Sequence, residues 1–185
     1  MHDLGDLALG LQAPRQGRVF FGGEDWSGMD PREAERRRRR VGRVFAPRGR
    51  AAWIENLDVE ENVMLAQLFN EGSTWEAVRE RAEDLARRFG LDGLPTSRPS
   101  ATPAPDLMAA QWVRAFLPDP LRLLILELPE AAVPEGKAGL LNGEVKRVLD
   151  EGTAVIWIDG SAAELDGLEP DRHFGEVPEA LMSRW

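Results

Sequence analysis

The most constraining feature of this sequence is a short, uninterrupted apolar run, L-L-I-L at residues 123–126, that ends on the carboxylate of Glu127. Asp119 and Pro120 precede the run, and Pro129 follows it. An apolar run of this length between turn residues fits a strand that is buried on both faces, as in a parallel sheet. Parallel sheets present their chemistry at the carboxyl ends of their strands. The sequence therefore predicts an α/β fold with Glu127 at the functional edge of the sheet.

The rest of the chain offers further strands and helices around this run. Residues 41–45 and 153–158 predict two more strands, and the second is expected to be buried. Residues 75–89 carry apolar side chains at helical spacing behind a capping box that begins at Ser73, and Gly90 fits the end of that helix. The other predicted elements are a helix up to residue 11, a strand at residues 18–21, helices capped by Asp30 and Asp106, and a helix over residues 140–151.

Charge and composition argue against several classes of protein and site. A formal net charge of -9 over 185 residues argues against nucleic acid as the main partner. No window approaches the roughly 18 consecutive apolar residues of a membrane span, so direct membrane insertion is not expected. The absence of cysteine rules out disulfides and thiolate metal sites and fits a cytosolic protein. The arginine run at residues 36–40 is interpreted as a solvated helix face paired with Glu33 and Glu35, and His2 and His173 are too isolated for a metal site.

Four segments, taken in order, resemble the nucleotide-binding domain of ABC-transporter ATPases. Residues 4–25 are similar to the stretch that follows the family's phosphate loop, and residues 41–46 are similar to the strand that ends in the Q-loop. Residues 53–63 are similar to the family's "N-L-T-V-x-E-N-V" patch, most of all to that of lipid-trafficking transporters. Residues 114–129 are similar to the Walker B segment, "R-A-L-x-x-D-P-x-L-L-L-L-D-E-P".

The resemblance implies a P-loop-NTPase-like parallel sheet core with helices on both faces plus a small helical subdomain. It implies a single domain over residues 1–185, with the subdomain inserted between core strands at about residues 62–117. In the family, the patch that residues 53–63 resemble faces the membrane partner. The implied partners are a membrane permease subunit, a second ABC ATPase subunit, or both. The implied location is cytoplasmic, at the inner face of the membrane through that partner.

The positions that carry the family's chemistry differ in this chain. The Q-loop glutamine falls on Ala46, and the magnesium-binding aspartate falls on Glu127. The catalytic glutamate falls on Leu128, and the switch histidine falls on Asp159. A methyl group such as that of Ala46 can neither coordinate a cation nor orient a water molecule.

Two of the family's phosphate-binding loops are also altered. The signature loop L-S-G-G-Q corresponds to T-P-A-P-D, from Thr102 to Asp106. Pro103 and Pro105 have no N–H to offer a phosphate, and Asp106 places negative charge at the start of the following helix. The D-loop aspartate falls on Pro134, and the phosphate loop G-x-x-x-x-G-K-[S/T] does not occur in this sequence.

These departures predict a catalytically inactive homologue that acts as a structural or regulatory subunit of a transporter complex and needs no cofactor. The alternative is an N-terminally truncated ATP-binding subunit with weak or no hydrolysis, in which an upstream phosphate loop would bring ATP and magnesium. A third hypothesis comes from a different class, a small acid–base enzyme that uses Glu127, Asp159 or His173.

Overall fold

A computed structural model of the chain describes residues 3–46, 53–69, 73–127 and 137–158. These residues form the helices α1 (Asp3–Ala8), α2 (Pro31–Arg38), α3 (Val59–Leu68), α4 (Trp75–Arg88), α5 (Ala104–Phe116) and α6 (Ala138–Asp150). They also form the strands β1 (Phe20–Phe21), β2 (Glu24–Asp25), β3 (Val41–Val44), β4 (Leu123–Glu127) and β5 (Ala154–Ile158). None of these helices is both long enough and apolar enough to cross a bilayer. Helices α3 to α5 lie between β3 and β4, where the sequence places the helical subdomain, and the bounds of that subdomain stay a prediction.

The strands β3, β4 and β5 form a parallel sheet in that order. Leu123 lies opposite Val41 on one side and Ala154 on the other, and the register continues in step along all three strands. All five residues of β4 are buried, because the strand has a neighbour on each side and side chains packed over both faces. The predicted inner parallel strand that ends at Glu127 is therefore confirmed.

The strand β5 is less buried than the sequence predicts. Ala154 is exposed, and the four residues that follow it are half-buried. In the described part of the chain, β5 pairs with β4 alone, so its other edge has no neighbouring strand there. The strand prediction for residues 153–158 is confirmed, but the residues of β5 are at most half-buried, so the prediction that the strand is buried is wrong.

Alternate side chains of the sheet enter two separate cores. Leu124 and Leu126 pack with side chains from α3, α4, α5 and α6, and the largest fully buried side chain of this core is that of Trp112. On the opposite face, Leu123 and Ile125 pack with side chains at the end of α1 and just after it. Helices therefore cover both faces of the sheet, as the resemblance implies.

The strand β3 and the helix α5 approach each other very closely at Gly42. A Cβ atom built on Gly42 would lie 1.7 Å from the carbonyl oxygen of Ala115, in the last turn of α5. Any larger side chain would overlap with the backbone of the helix, which cannot move aside as a flexible side chain can. Glycine at this position thus lets α5 pack directly against the sheet.

Capping residues fix the starts of two helices. Asp30 caps α2 as predicted, because its Oδ1 accepts hydrogen bonds from the N–H groups of Arg32 and Glu33 at 2.9 and 3.4 Å. The helix α4 begins one residue later than predicted. Its N-cap is Thr74, whose hydroxyl accepts a hydrogen bond from the N–H of the residue three positions on at 3.3 Å, so the prediction of Ser73 as the cap is wrong.

The prediction that Asp106 caps α5 is also wrong. The helix begins at Ala104 with Pro103 as its N-cap, which leaves Asp106 inside the first turn. The N–H groups of Asp106 and Leu107 both donate to the carbonyl oxygen of Pro103 at 3.0 Å. A second proline follows Ala104 within that turn, where its fixed φ suits a helix and its missing N–H costs nothing, so the helix starts earlier than the aspartate suggests.

The N-terminal segment differs from its prediction in detail. The helix α1 ends at Ala8, not at residue 11. In place of a single strand at residues 18–21, β1 and β2 form a short antiparallel hairpin. Gly22 and Gly23 form the turn between the two strands. Their φ angles are 58° and 84°, which residues with side chains rarely adopt.

The arginine run at residues 36–40 pairs largely with Glu33 and Glu35, as predicted, but the middle three arginines are half-buried, so the face is only partly solvated. Glu33 accepts hydrogen bonds from Arg36 and Arg37. Arg38 does something the sequence does not predict: its Nε donates to the carbonyl oxygen of Leu9 at 2.8 Å. That bond ties α2 to the segment that follows α1.

Candidate functional site

The carboxyl ends of the three parallel strands meet at one edge of the sheet, and Glu127 lies there as the last residue of β4. Ala46 follows β3 at the same edge, and Ile158 ends β5. The described part of the site therefore centres on Glu127. The remaining predicted positions lie outside the described residues: Leu128, Asp159, Pro134, His2 and His173.

Glu127 is buried, and its Oε1 atom binds the guanidinium group of Arg43. The Nε of Arg43 donates to this oxygen at 2.9 Å, and Nη2 lies 2.6 Å from it. Contacts of this length between charged groups are strong, and burial protects them from screening by salt. The carboxylate at the position that the resemblance implies for magnesium is thus already paired with a cation of the chain.

The same guanidinium reaches a second carboxylate on α1. The Nη1 of Arg43 donates to the Oδ1 of Asp6 at 2.6 Å. A Cβ atom built on Gly5 would lie 2.3 Å from Oε1 of Glu127 and 2.6 Å from Cζ of Arg43, so the backbone of α1 lies directly against the ion pair. We refer to Asp6, Arg43 and Glu127 as the ion triad.

Strand register brings the members of the ion triad together. Arg43 lies opposite Ile125, two residues before Glu127, and therefore on the same face of the sheet. The long side chain of arginine spans the remaining offset along the face that packs against α1. Neither Arg43 nor Asp6 is among the site residues predicted from the sequence. The available signal was a single charged residue inside the otherwise apolar strand V-G-R-V, because a charge that packs against a core requires a partner.

A side chain from α5 holds the strand end next to Ala46. Gln111 is buried, and its Oε1 accepts a hydrogen bond from the N–H of Phe45 at 2.6 Å. Ala46 is half-buried, and its methyl group can neither donate nor accept a hydrogen bond. Gln111, which the sequence analysis did not select, therefore fixes the backbone one residue before Ala46.

The start of α5 offers few groups to an anion. Thr102 is buried, and its hydroxyl donates to the carbonyl oxygen of Arg98 at 3.0 Å. Pro103 and Pro105 have no N–H, and the N–H of Asp106 already donates to the carbonyl oxygen of Pro103. The carboxylate of Asp106, in the first turn, adds negative charge at the helix start, where the resemblance implies a phosphate.

The patch over residues 53–63 combines an ordered turn with an exposed apolar side chain. Asn62 is buried and hydrogen-bonds to both the N–H and the carbonyl oxygen of Ile54, at 2.8 and 3.0 Å, while the Ile54 residue stays 45% exposed. The guanidinium of Arg114, on α5, lies 4.7 Å from the ring centroid of Trp53. Burial lowers the pKa of Arg114 to about 10, so the side chain remains charged at neutral pH.

The described residues form an ion-paired carboxylate site, in which one guanidinium bridges two carboxylates. In the ranges that the structure describes, no three His, Cys, Asp or Glu side chains come together as a potential metal site. An acid–base enzyme would need Glu127 available to a substrate, whereas its Oε1 binds Arg43. The other members of that hypothesis, Asp159 and His173, lie outside the described residues, so it stays a prediction.

The arrangement of strands and helices matches that of a solved ATP-binding cassette. The cassette MJ0796, in a dimeric structure bound to ADP and Pi, aligns with a TM-score of 0.73 over 84% of this chain and 68% of that chain, at 20% sequence identity. A second dimeric structure of MJ0796, a bacterial ABC transporter cassette, aligns equally well. The fold is that of an ABC-transporter cassette. The ABC fold confirms the predicted P-loop-NTPase-like core, with β4 as an inner strand.

Sequence comparison finds ATP-binding subunits of ABC transporters. The lipoprotein-releasing system ATP-binding protein LolD of Gluconobacter oxydans is 33% identical over 152 residues, which are 81% of this chain and 64% of that protein. The phosphonates import ATP-binding protein PhnC 2 of a Synechococcus species is 30% identical over 130 residues, 66% of this chain and 47% of that protein. The chain thus spans about half to two thirds of the length of these curated relatives. No protein-family model matches the chain.

Proposed function

We propose that this chain is an ABC-type nucleotide-binding-domain homologue that does not hydrolyse ATP and serves as a structural or regulatory subunit of a transporter complex. The observation that carries the proposal is the ion pair between Arg43 and Glu127. Phosphoryl transfer in this fold class depends on a metal ion held by protein oxygens beside the phosphates. A carboxylate oxygen that binds a guanidinium is not free to hold that ion.

Other positions around the same edge support the proposal. Ala46 has no polar group, and the prolines at the start of α5 remove N–H donors from the position of the signature loop. Leu128 aligns with the catalytic glutamate of the family and carries no carboxylate. Loss of a single transition-state donor typically lowers the rate by about 10²–10³-fold, so several losses together leave no efficient ATPase. The proposed subunit therefore needs neither ATP nor magnesium as a cofactor.

The proposed partners are a membrane permease subunit and a second, active ABC ATPase subunit. Two lines support them: the cassette MJ0796 is dimeric in its solved structures, and the relatives are named for lipoprotein release and phosphonate import. Of these cargoes we favour a lipid or lipoprotein, because residues 53–63 are most similar to lipid-trafficking transporters. The subunit would then work at the inner face of the membrane through its partner, without nucleic acid and without inserting into the bilayer.

The hydrolysis part of the proposal is tested with the purified full chain and MgATP, by measuring phosphate release. We expect no release above the protein-free background, and no change in the variants Glu127→Ala and Glu151→Ala. The second variant removes an exposed carboxylate at the end of α6 as a control. Hydrolysis at rates typical of transporter ATPases that Glu127→Ala abolishes and Glu151→Ala preserves would contradict the proposal.

The partner is tested by a pull-down from native membranes with the tagged chain, with Ile54 as the test residue. Ile54 is 45% exposed in the patch before α3, and Leu140, on α6, is 39% exposed. We expect the wild type and Leu140→Asp to recover a permease, and Ile54→Asp to lose it. Equal recovery by both variants would place the docking surface elsewhere.

A second candidate function is that of a longer ATP-binding subunit of which this sequence is a piece. The observation that favours it is the edge of β5, which pairs with no second strand in the described residues. A phosphate-loop strand from such a polypeptide could pair there. Reading the DNA upstream of the Met1 codon tests this: an in-frame G-x-x-x-x-G-K-[S/T] supports the longer subunit, and a stop codon without it excludes that subunit.

A further inference from the structure

The ion triad is more enclosed than an ordinary surface salt bridge. The side chains of Arg43, Glu127 and Asp6 are 9%, 11% and 14% exposed, respectively. Three nitrogen atoms of the guanidinium face the two carboxylates: Nε and Nη2 face Glu127, and Nη1 faces Asp6. The ring of Phe45 lies 4.5 Å from Cζ and takes up part of the guanidinium face. Arg43 is therefore surrounded by groups that select for a cation.

The two carboxylates come from elements that are far apart in the sequence. Asp6 lies 37 residues before Arg43, and Glu127 lies 84 residues after it. With no cation between them, two ionised carboxylates would face each other in a poorly hydrated space, which is unfavourable for both. Gly5 brings the backbone of α1 against the same pair, and Asp6, the next residue, binds Arg43 directly.

We propose that Arg43 is the resident cation of this site: its guanidinium holds Glu127 and Asp6 together in place of a metal ion and fixes α1 on the sheet. The inference extends the proposed function, because it gives the reason why Glu127 would not take part in metal-dependent chemistry. Arg43 acts as a positioning residue in this account and has no role in a reaction.

Removal of the Arg43 guanidinium leaves Asp6 and Glu127 without the cation between them. Substitution of Arg43 by methionine keeps an unbranched, mostly apolar side chain and removes the charge. The two carboxylates then repel each other and leave a space bounded by oxygen ligands, which hard divalent cations prefer. A variant of this kind should therefore gain an affinity for a divalent cation that the wild type lacks.

The test compares Mn²⁺ binding, from the paramagnetic resonance signal of the free ion, and the Tm in the full-length wild type, Arg43→Met and the double variant Arg43→Met/Glu127→Gln. Arg40→Met is the matched control, because Arg40 is exposed and carries the same charge. We expect a lower Tm for Arg43→Met than for the control. We expect Mn²⁺ to raise the Tm of Arg43→Met by roughly 3–6 °C at about tenfold excess over its dissociation constant. The wild type, the control and the double variant should show no such rise.

Two outcomes would overturn the inference. One is saturable Mn²⁺ binding by the wild type that Glu127→Gln abolishes, which can be measured even where Arg43→Met does not fold. The other is a folded Arg43→Met whose Tm does not respond to Mn²⁺, which would mean that Arg43 only fills space. Arg43→Lys should recover part of the lost Tm and none of the Mn²⁺ response, because lysine supplies a single point charge. Neither overturning result requires ATP hydrolysis, so the inference and the proposed function can fail separately.

Discussion

At the scale of single residues, buried polar groups and one glycine shape the surroundings of the site. Asn62 is 5% exposed, and its amide nitrogen donates to the carbonyl oxygens of Ile54, Leu57 and Asp58 at 3.0, 3.2 and 3.0 Å. One side chain thus binds four backbone groups of the turn before α3. At Gly42 the absence of a side chain allows the backbones of β3 and α5 to come into contact.

We expect Asn62→Ala to lower the free energy of unfolding by about 1–3 kcal/mol, because it leaves buried backbone groups without partners. Urea unfolding measures the loss, and hydrogen exchange should show faster exchange at residues 54–58. Asn56→Ala is the control, because Asn56 is exposed in the same turn. Equal stability of the two variants would mean that the turn does not depend on the buried amide.

We expect Gly42→Ala to lower the free energy of unfolding by at least about 3 kcal/mol, at the upper end for overpacking, because the new methyl group overlaps with the carbonyl oxygen of Ala115. Gly143→Ala, on the exposed side of α6 with nothing within 4 Å, should instead stabilise the chain by about 0.5–1 kcal/mol. Chemical denaturation of both variants measures the contrast. A tolerated Gly42→Ala would mean that α5 can shift away from the sheet without cost.

At the scale of elements, α2 illustrates how local charge supports a helix. Asp30 caps its first turn, and Glu33 binds Arg36 and Arg37 one turn further on. Hydrogen bonds from Arg37, and then from Arg36, hold the pKa of Glu33 below its usual value. A carboxyl group whose pKa is lower in the folded chain stabilises the fold above its usual pKa and loses that effect as the pH falls through the lowered value.

The wild type should therefore lose stability in acid partly through Glu33. We expect Glu33→Gln to have a lower Tm than the wild type near neutral pH, and the difference should vanish once the pH is below the folded pKa of Glu33. Thermal unfolding over a series of pH values from neutral to acid measures this difference. Glu80→Gln, at an exposed position on α4, should match the wild type throughout. A difference for Glu33→Gln that persists in strong acid would contradict an ionic cause.

At the scale of the whole molecule, one parallel sheet separates two cores of unequal size. The larger core joins the sheet to α3, α4, α5 and α6, and the smaller one joins it to the end of α1. The ion triad lies on the side of the smaller core and links α1 to β3 and β4. The ion pairs of Arg43 with Glu127 and Asp6 therefore hold the elements of the candidate site together.

We expect MgATP to leave the unfolding transition unchanged, because the carboxylate beside the expected phosphate position is already paired. A ligand at about a hundredfold excess over its dissociation constant would add about 2.7 kcal/mol to the free energy of unfolding, which is easily measured. Calorimetry with MgATP, with magnesium alone as the control, makes the comparison. A rise in Tm that requires the nucleotide would show that the chain still binds it.

The sequence by itself determined the elements whose signals are local. The apolar run before Glu127 became an inner strand, and the spacing of apolar side chains up to Phe89 became a helix that ends at Arg88, with Gly90 at φ of 72° just beyond its cap. The cap at Asp30 was also predictable from its own neighbours. Periodicity and capping depend on residues a few positions apart, so they can be read without knowing the fold.

Only the tertiary structure decided what those elements meet. Arg43 and Glu127 are 84 positions apart, and their pairing follows from strand register and from the placement of α1. The partial exposure of β5 likewise depends on its neighbours in the sheet, which no local pattern contains. A charged residue inside an apolar strand, such as Arg43, indicates that a partner of opposite charge lies nearby. Which carboxylate becomes that partner is set by the packing of distant segments, because the energy of an ion pair depends on distance in space and not on separation along the chain.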